Sequence, residues 1–261
     1  MSNSVLIIGD AHCKPGVSNR RFEWLGKYIV DKKPDTIVCI GDFADMSSLC
    51  SYDKGKKSFE GRRYKEDCDV THDAQVKLFG PIVHYNQKQK KLKKPKYNPY
   101  KVMIIGNHEN RIHRVVEYQS ELEGTIQLSD LGYTLWWDEV VPFLEPKFID
   151  GVCYQHYFTS GLMGRPIGGD NAAASMLSKQ YVSCVAGHSH LRDFSERTRA
   201  DGIKIQGLVV GCYLDPEQRE DYAGPANSLW WKGVVMLHNV NSGQYDPEFV
   251  SIDYLRKRYE K

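Results

Sequence analysis

The chain has 261 residues, of which 41% are hydrophobic and 26% are charged, and its formal net charge is +2. This length and composition suit one sizeable core, so we predict a single domain over residues 1–261. The longest apolar runs are strand-sized and fall far short of the roughly 20 residues that cross a membrane. No secretory leader is visible at the N-terminus. Together these features predict a cytoplasmic protein with no membrane contact.

Seven cysteines are scattered singly along the chain, without any Cys-x-x-Cys pair. The odd number and the spacing argue against a disulfide framework and against a cysteine zinc site. We therefore predict reduced thiols, and those in apolar runs are predicted to be small buried side chains rather than nucleophiles.

Four short apolar runs each end in a glycine that is followed by polar side chains able to bind metal. The four junctions are Gly9-Asp10-Ala11-His12, Gly41-Asp42, Gly106-Asn107-His108-Glu109 and Gly187-His188-Ser189-His190. Near-continuous apolar runs are typical of strands buried on both faces, and open α/β sheets place ligands beyond the carboxyl ends of such strands. The sequence therefore predicts a ligand site where these strands end.

Helical patterns lie between the predicted strands. Apolar residues at helical spacing after Ser18, a suitable N-cap, predict a helix and hence a βαβ unit. Further helices are predicted directly after Glu109 and over residues 171–179. Beyond position 190, three apolar runs predict antiparallel strands that complete a second sheet, and they cover 203–210, 234–237 and 249–252.

Charge is unevenly distributed along the chain. Residues 51–100 hold thirteen lysines and arginines against six acids, a net +7, which leaves −5 for the remainder. An acidic body suits a site that collects cations, and a basic segment suits a polyanionic partner. Weak periodicity and several prolines predict an insertion at about 51–99 with one or two short helices. Its lysines fit a solvated loop or a protein contact equally well.

No single histidine identifies a function, but five of the nine follow strand-like runs in a defined order. From Asp10 to His190 the motifs are D-x-H, G-D, G-N-H-E, an isolated histidine and G-H-x-H. This succession resembles the metallophosphoesterase superfamily, which includes calcineurin-like phosphatases, double-strand-break repair nucleases, cyclic-nucleotide phosphodiesterases and many bacteriophage enzymes. The resemblance implies an α/β fold, a two-sheet β-sandwich flanked by helices in four layers, α/β/β/α.

The resemblance also implies two divalent metal ions, with manganese favoured and iron, zinc, nickel or magnesium as alternatives. One ion would be held by Asp10, His12, Asp42 and His190. The other would be held by Asp42, Asn107, His156 and His188, so that Asp42 bridges the pair. A metal-bridging hydroxide would attack the phosphate ester. Two ions about 4 Å apart require such a shared carboxylate with mixed nitrogen and oxygen donors.

Two further residues are implied in catalysis. In the resembled family the histidine after the asparagine faces the phosphate, so His108 would stabilise or protonate the leaving oxygen. Asp45 matches the carboxylate that orients this histidine and raises its pKa. The alternative interpretation is that Asp45 is an ordinary acid on a surface loop. The isolated histidine is assigned to His156, with His113 as the competitor, although His113 lies within a predicted helix.

Departures from the family pattern narrow the function. Protein phosphatases usually continue the second motif as G-D-x-x-D-R-G, whose arginine grips the phosphate, whereas Asp45 is followed by Met46 and Ser47. Without that arginine the metals carry the phosphate charge, which favours a diester with its single negative charge. The closing G-H-x-H looks like the nuclease and phosphodiesterase branches, although nucleases more often have aspartate at the position of Glu109.

We therefore predict a two-metal phosphodiesterase that acts on nucleic acid or nucleotides. The basic insertion, with tyrosines among its lysines, is predicted to contact a nucleic-acid backbone. Paired tryptophans at 136–137 and 230–231 are candidates for a substrate cleft or for core packing. Two alternatives stay open, a phosphomonoesterase acting on phosphoproteins or nucleotides, and a nucleic-acid-binding or regulatory protein with a structural metal site.

Overall fold

The computed structural model describes residues 3–260, apart from the side chains of Asp221 and Tyr222. In this range the strands are β1 (Asn3–Ile8), β2 (Thr36–Cys39), β3 (Tyr100–Ile104), β4 (Glu139–Val141), β5 (Lys147–Ile149), β6 (Val152–Tyr154), β7 (Thr159–Ser160), β8 (Arg165–Pro166), β9 (Ser183–Ala186), β10 (Arg192–Thr198), β11 (Lys204–Val210), β12 (Gly233–Asn241) and β13 (Gln244–Ser251). The α-helices are α1 (Arg20–Lys32), α2 (Tyr64–Lys91), α3 (Arg111–Tyr118), α4 (Ala172–Gln180) and α5 (Ile252–Tyr259). Short 3₁₀ segments cover Ser47–Leu49, Ser51–Asp53, Lys57–Phe59, Ser120–Leu122, Leu128–Leu131, Tyr133–Leu135 and Asp221–Leu229.

The strands form two main sheets. The first has the order β13-β12-β1-β2-β3-β4, and its strands β1 to β4 are parallel, so their carboxyl ends meet at one edge. The second has the order β10-β11-β9-β6-β5, with β6, β9 and β11 parallel. β7 and β8 form a separate hairpin.

The late strands divide between the two sheets. β11 joins the second sheet, as predicted for the run at 203–210, but the prediction is wrong for β12 and β13, which belong to the first. β12 pairs antiparallel with β1, with Val5 opposite Leu237 and Ile8 opposite Val234. Without this partner β1 would present an unpaired apolar edge, which natural sheets avoid.

Alternate residues of β1 explain the layered core. Leu6 and Ile8 pack against α1, α2 and α5, whereas Val5 and Ile7 pack against the second sheet. All four are fully buried, as predicted for an apolar run covered on both faces. α4 closes the outer face of the second sheet. The predicted four-layer α/β/β/α sandwich is therefore confirmed.

The three helices predicted outside the basic segment are present as α1, α3 and α4. The N-cap of α1 is Asn19 rather than Ser18, although the Ser18 hydroxyl still accepts a hydrogen bond from Arg20 N at 3.3 Å. Asn19 instead donates from its amide to Val70 O at 2.8 Å and Asp73 Oδ2 at 3.0 Å. The start of α1 is therefore tied to α2.

The segment predicted as an insertion with one or two short helices differs most from expectation. It forms one 28-residue helix, α2, which continues through Pro81. Its buried face includes Asp67, Thr71 and Gln75 at four-residue spacing. Thr71 Oγ1 donates to Asp67 O at 2.7 Å, and Gln75 Nε2 donates to Leu131 O at 2.8 Å. Because these buried positions are polar and hydrogen-bonded, apolar periodicity does not reveal the helix.

All seven cysteines are free thiols, as predicted, and burial extends from those in apolar runs to all seven. Burial raises the pKa of the Cys153 thiol to about 11, which keeps it protonated and unreactive near neutral pH. None of the described helices combines the length and the apolar character that crossing a membrane requires.

One buried carboxylate ties the loop after β2 to the loop after β3. Glu109 is fully buried, and its two oxygens accept hydrogen bonds from the backbone N–H groups of Asp42, Ala44 and Gly106 at 2.9–3.0 Å. The Tyr133 hydroxyl donates a fourth bond at 3.0 Å. Burial and the charge of Asp42 raise the pKa of Glu109, while its backbone donors oppose the rise. The carboxylate therefore sets how closely the two loops approach.

The approach is so close that position 106 requires glycine. A Cβ atom on Gly106 would lie 2.1 Å from Asp42 Oδ1 and 2.3 Å from Asp42 N. Any other residue would force the Asp42 side chain and backbone to move.

Replacing Glu109 by alanine is expected to lower the free energy of unfolding by about 3 kcal/mol or more, because three buried N–H groups lose their acceptor. Urea unfolding of the metal-free protein measures the change. Glu117→Ala, at an exposed position of α3, is the matched control and should stay within about 0.5 kcal/mol of wild type. Equal stability of the two variants would contradict this role for Glu109.

Candidate metal centre

Polar residues that follow the strands gather at one edge of the sandwich. The first sheet supplies those after β1, β2 and β3, namely Asp10, His12, Asp42, Asn107 and His108. The second sheet supplies those after β6 and β9, namely His156, His188 and His190. Within each sheet these strands are parallel, so each set leaves its sheet at the carboxyl ends. All seven side chains predicted as metal ligands are brought together.

Asp10, His12 and His190 form one group. His190 Nε2 lies 3.2 Å from Asp10 Oδ2 and 3.2 Å from His12 Nε2. All three residues are buried, with at most 3% exposure. His12 Nε2 also lies 3.9 Å from Asp42 Oδ2, which links this group to the next.

Asp42 is central to a second group with Asn107, His156 and His188. His156 Nε2 lies 3.4 Å from Asp42 Oδ2 and 2.9 Å from Asn107 Oδ1. Asp42, His156 and His188 each place a donor atom within 4.8 Å of the others. Asp42 Oδ2 is therefore 3.9 Å from His12 and 3.4 Å from His156, between the two groups.

The hydrogen bonds of His156 direct its Nε2 lone pair into the centre. Its Nδ1 lies 2.9 Å from Ile40 O, a carbonyl that can only accept, so Nδ1 carries the proton of the neutral ring. Nε2 then faces two further acceptors, Asn107 Oδ1 and Asp42 Oδ2. Burial disfavours a charged ring, but Asp42 outweighs it and raises the pKa of His156 to about 9. A ring with this pKa holds a proton on Nε2 toward these two oxygens, and a divalent metal ion can take the place of that proton, so the three atoms fit such an ion.

Asp45 contacts two histidines. Its Oδ1 lies 2.9 Å from His12 Nδ1 and 3.1 Å from His108 Nδ1. The first contact turns His12 Nε2 toward the centre, as carboxylates commonly do for metal-binding histidines. Burial opposes ionisation of Asp45, but the bonds to His108 and His12 outweigh it and hold its pKa well below the usual range. Asp45 is buried and is therefore not an ordinary surface acid.

The titratable groups of the centre favour ionised carboxylates and, at His12 and His188, neutral imidazoles. Burial opposes ionisation of Asp42, but His156 and His108 outweigh it and hold its pKa well below the usual range. Burial and the charge of His156 lower the pKa of His188 to about 4. Burial and His108 also lower the pKa of His12. Divalent metals bind side chains in these protonation states.

His108 lies beside both groups. Its backbone N–H donates to Asp42 Oδ1 at 2.8 Å, and its Nδ1 lies 2.8 Å from Asp45 O. Its Nε2 lies 3.8 Å from Asp42 Oδ2 and 3.1 Å from Arg111 Nη2. His12, Asp42 and His108 also bring donor atoms within 4.8 Å of one another, so the ring stays within reach of the centre.

Four residues of the centre have left-handed backbone conformations. Their φ angles are +43°, +52°, +66° and +60° for His12, Asp42, His188 and His190. Each such angle costs roughly 1 kcal/mol for a residue with a side chain, and such strain concentrates at functional sites. Backbone hydrogen bonds hold these turns, since His12 N donates to Asp42 O and His188 N to Asp10 Oδ1, both at 2.9 Å.

A cavity of about 640 Å³ adjoins the centre and has three aromatic residues in its walls. The Trp230 ring packs edge to face on His190 at a centroid distance of 4.3 Å, and Tyr157 lies 4.7 Å from the His188 ring. Tyr52 is 78% exposed. Flat aromatic surface is therefore available next to the metal-binding side chains.

Of the tryptophans considered for a cleft, Trp230 lines the cavity and the other three serve packing. Trp136 stacks on Phe79 at 5.5 Å, and Trp137 meets the same ring edge to face at 5.1 Å. Trp231 packs against the core between the sheets. Core packing, the more frequent role of paired tryptophans, holds for 136–137.

Lys56 of the basic segment lines the cavity beside the centre, but the run predicted to contact nucleic acid, Lys90, Lys91, Lys93 and Lys94, lies at the far end of α2. In the first turn of this helix, Asp67 accepts a bond from Ser48 N at 2.9 Å, close to the loop of the centre. Beyond the last turn, Tyr97 donates to Pro34 O at 2.7 Å, ahead of β2. Because an α-helix rises about 1.5 Å per residue, Lys90 lies about 34 Å from Asp67 along the axis. These lysines therefore occupy the edge opposite the centre.

Two residues of the centre carry no role predicted from the sequence, Glu109 and Arg111. Glu109 closes a recognised motif, but the motif letters do not reveal its backbone partners. Arg111 lies three residues after His108, a spacing that places side chains together on a helix and could have drawn attention to it. His113, the competitor of His156, is exposed on α3, whereas His156 is fully buried in the centre.

The family profile described as calcineurin-like phosphoesterase matches residues 4–259. Two similar proteins come from bacteriophages. The Gene 54 protein of Mycobacterium phage L5 is 24% identical over 263 residues, which cover 97% of this chain and 94% of that protein. The Gene 54 protein of Mycobacterium phage D29 is 23% identical over 265 residues, with the same coverage of 97% and 94%.

Two solved structures are similar in outline. YfcE, a phosphoesterase from E. coli, is 12% identical with a TM-score of 0.39, and the match covers 95% of this chain and 99% of that one. A conserved protein from Streptococcus pneumoniae TIGR4, described as a predicted phosphoesterase, is 11% identical with a TM-score of 0.34, covering 97% and 91%. Similarities this low carry no argument about function. The profile match over nearly the whole chain shows that this protein belongs to the calcineurin-like phosphoesterase family.

Proposed function

We propose that this protein is a two-metal phosphodiesterase that hydrolyses nucleic acid or nucleotide diesters. The observation that carries the proposal is the position of Asp42 between two groups of donor atoms beside one cavity. Family membership implies metal-dependent phosphoester hydrolysis, and the cluster of aspartates and histidines is compatible with a divalent metal centre. The number of ions and the class of ester are part of the proposal.

We assign one ion to Asp10, His12, Asp42 and His190, and the other to Asp42, Asn107, His156 and His188. We propose manganese at both positions, with iron, zinc, nickel and magnesium as alternatives, because a mixture of imidazole nitrogen with carboxylate and amide oxygen can hold any of these ions. When bound, the two cations would supply positive charge for the phosphate oxygens and an activated water as the nucleophile.

His108 is the proposed proton donor to the leaving oxygen. Its Nδ1 lies 2.8 Å from Asp45 O and 3.1 Å from Asp45 Oδ1, so Nε2, which contacts Arg111 Nη2 at 3.1 Å, is the ring nitrogen that can meet substrate. In that orientation Nε2 can deliver a proton to the leaving oxygen as the P–O bond breaks. Asp45 acts through His108 and is a positioning residue, which also holds His12 in place.

The charge around the centre supports a diester substrate. Met46 follows Asp45, so the second motif contributes no guanidinium. In the adjoining cavity of about 420 Å³, Lys14 and Arg62 are paired with carboxylates at 2.6 Å and 2.9 Å. Arg111 is the third cation of this cavity and forms no ion pair with a described carboxylate, so one uncompensated positive charge is available, which suits the single negative charge of a diester phosphate.

The aromatic residues of the cavity support a substrate that contains bases. Tyr52, Tyr157 and Trp230 lie in the wall of the cavity that reaches the metal-binding side chains. Stacking of a base on an aromatic ring contributes about 1–3 kcal/mol and tolerates any base. A nucleotide diester could therefore stack on this wall while its phosphate lies at the centre.

We also propose a cytoplasmic location. All seven cysteines are buried thiols with no disulfide among them. Reducing compartments keep thiols in this state, whereas exported proteins commonly oxidise theirs to disulfides.

Wild-type protein is expected to bind two manganese ions, and Asp42→Asn is expected to lose them because the shared carboxylate is weakened. His108→Ala should keep wild-type metal content and lower kcat by about 10² to 10⁴, the usual scale of general acid catalysis. Elemental analysis after dialysis and turnover of an aryl phosphate ester provide the two readouts. Loss of metal in both variants would show that His108 is a ligand instead.

With manganese, kcat/KM on bis(p-nitrophenyl) phosphate should exceed that on p-nitrophenyl phosphate by about tenfold or more, since Arg111 is the one unpaired cation among the described residues of the 420 Å³ cavity and leaves the second charge of a monoester without a partner. The two esters share a leaving group, so the comparison isolates the ester class. A preference for the monoester would move the protein to the phosphatase alternative. Binding of both ions without hydrolysis of either ester would favour the structural-metal alternative.

Reversing the charge of Lys90, Lys91, Lys93 and Lys94 to glutamate should weaken binding of long duplexes only. The patch lies about 34 Å along α2 from its first turn, and a duplex rises about 3.4 Å per base pair, so about ten base pairs are needed to reach both ends. Fluorescence anisotropy without divalent metal should show weaker binding of a duplex of about 30 base pairs, with a salt slope flatter by up to about 0.9 per lost contact.

A duplex of about six base pairs and a small aryl diester serve as internal controls for the lysine variant, and both should behave as with wild type. Unchanged affinity and salt slope on the long duplex would remove these lysines from nucleic-acid binding and leave a solvated or protein-contacting surface.

A further inference from the structure

Arg111, the first residue of α3, lies between His108 and the loop that carries Asp45. Its Nη2 lies 3.1 Å from His108 Nε2, and its Nη1 donates to Asp45 O at 2.8 Å and to Met46 O at 3.3 Å. The side chain borders both cavities beside the centre. These contacts hold the guanidinium group where the two cavities meet.

Arg111 differs from most cations around it in having no carboxylate partner. Three others in the same cavity walls form ion pairs of 2.6–2.9 Å, namely Lys14 with Glu220, Arg62 with Asp53 and Lys56 with Asp53. Among the side chains described between residues 3 and 260, no carboxylate oxygen lies within 4.0 Å of the Arg111 guanidinium nitrogens. A half-buried cation that is not neutralised by the protein attracts an anion.

The guanidinium group also retains hydrogen-bond donors. Of its five N–H groups, three are engaged by the contacts above. The Nη2 contact goes to an imidazole nitrogen, and an anionic phosphate oxygen is a stronger acceptor than a neutral ring. A phosphate oxygen that enters the cavity would take over this donor and free His108 Nε2 to face the leaving group.

We propose that Arg111 binds a non-bridging oxygen of the scissile phosphate next to His108. The proposal rests on the proposed function as a phosphoester hydrolase and adds a phosphate-binding residue to it. The Met46 side chain carries no charge, but the Met46 carbonyl accepts a hydrogen bond from Arg111, which lies on α3. This bond keeps the guanidinium group beside the loop that carries Asp45. The planar fork of a guanidinium group can present parallel N–H groups to two phosphate oxygens.

The test is the affinity of manganese-loaded protein for inorganic phosphate, measured by isothermal titration calorimetry with metal content checked alongside. Arg111→Ala is expected to weaken binding by about tenfold to a hundredfold, the scale of one charge-assisted hydrogen bond. Arg111→Lys keeps the charge without the fork and should fall between Arg111→Ala and wild type. Arg114→Ala is the matched control, because Arg114 is exposed on the same helix and borders the same cavity. It should stay within about twofold of wild type.

Unchanged phosphate affinity in metal-replete Arg111→Ala, or an equal loss in Arg114→Ala, would overturn the proposal. If Arg111→Ala fails to fold or to hold metal, Arg111→Lys decides, because wild-type affinity in that metal-replete variant would also overturn it. Failure of the proposed function would look different. Phosphate binding would then depend on Arg111 while the wild-type protein hydrolysed neither aryl ester.

Discussion

The buried carboxylate of Glu109 holds the loop after β2 and the loop after β3 together. Three buried N–H groups point at it, and one loop carries Asp42 while the other carries Asn107. These N–H groups are buried from solvent, so the two oxygens of one carboxylate must accept their hydrogen bonds. Together with the bond from Tyr133, four hydrogen bonds offset the desolvation of the Glu109 charge. The position of Asp42 between the two groups thus depends on Glu109, whose carboxylate is bonded to backbone N–H groups and to Tyr133.

The centre also depends on the packing of one sheet on the other. The apolar layer between the sheets, to which Val5 and Ile7 contribute, sets the distance at which their carboxyl ends face each other. At that distance His156 Nε2, from the second sheet, lies 3.4 Å from Asp42 Oδ2, from the first. Left-handed turns at several of these residues are sustained by the closely packed surrounding structure, which keeps their side chains aimed inward.

The two ends of helix α2 have different surroundings, because one end supports the centre and the other lies at the protein surface. Its first turn binds the loop near Asp45 through the contact of Asp67 with Ser48, and its middle packs in the main core. Its last turn and the following residues present exposed lysines at the opposite edge. Chemistry on a small ester and contact with a long polyanion would therefore use surfaces that mutation can separate.

The sequence by itself determined the buried strands and the donor residues at their ends, because continuous apolar runs and glycine-polar junctions report local burial and local turns. It did not determine which sheet β12 and β13 join, since an apolar run carries no record of which strand edge is open. α2 was hidden because Asp67, Thr71 and Gln75 interrupt the apolar pattern of its buried face. The bond from Asp42 N to Glu109 joins residues 67 positions apart. Such partners are decided by tertiary packing alone, because hydrogen-bond acceptors are selected by distance in space and not by spacing along the chain.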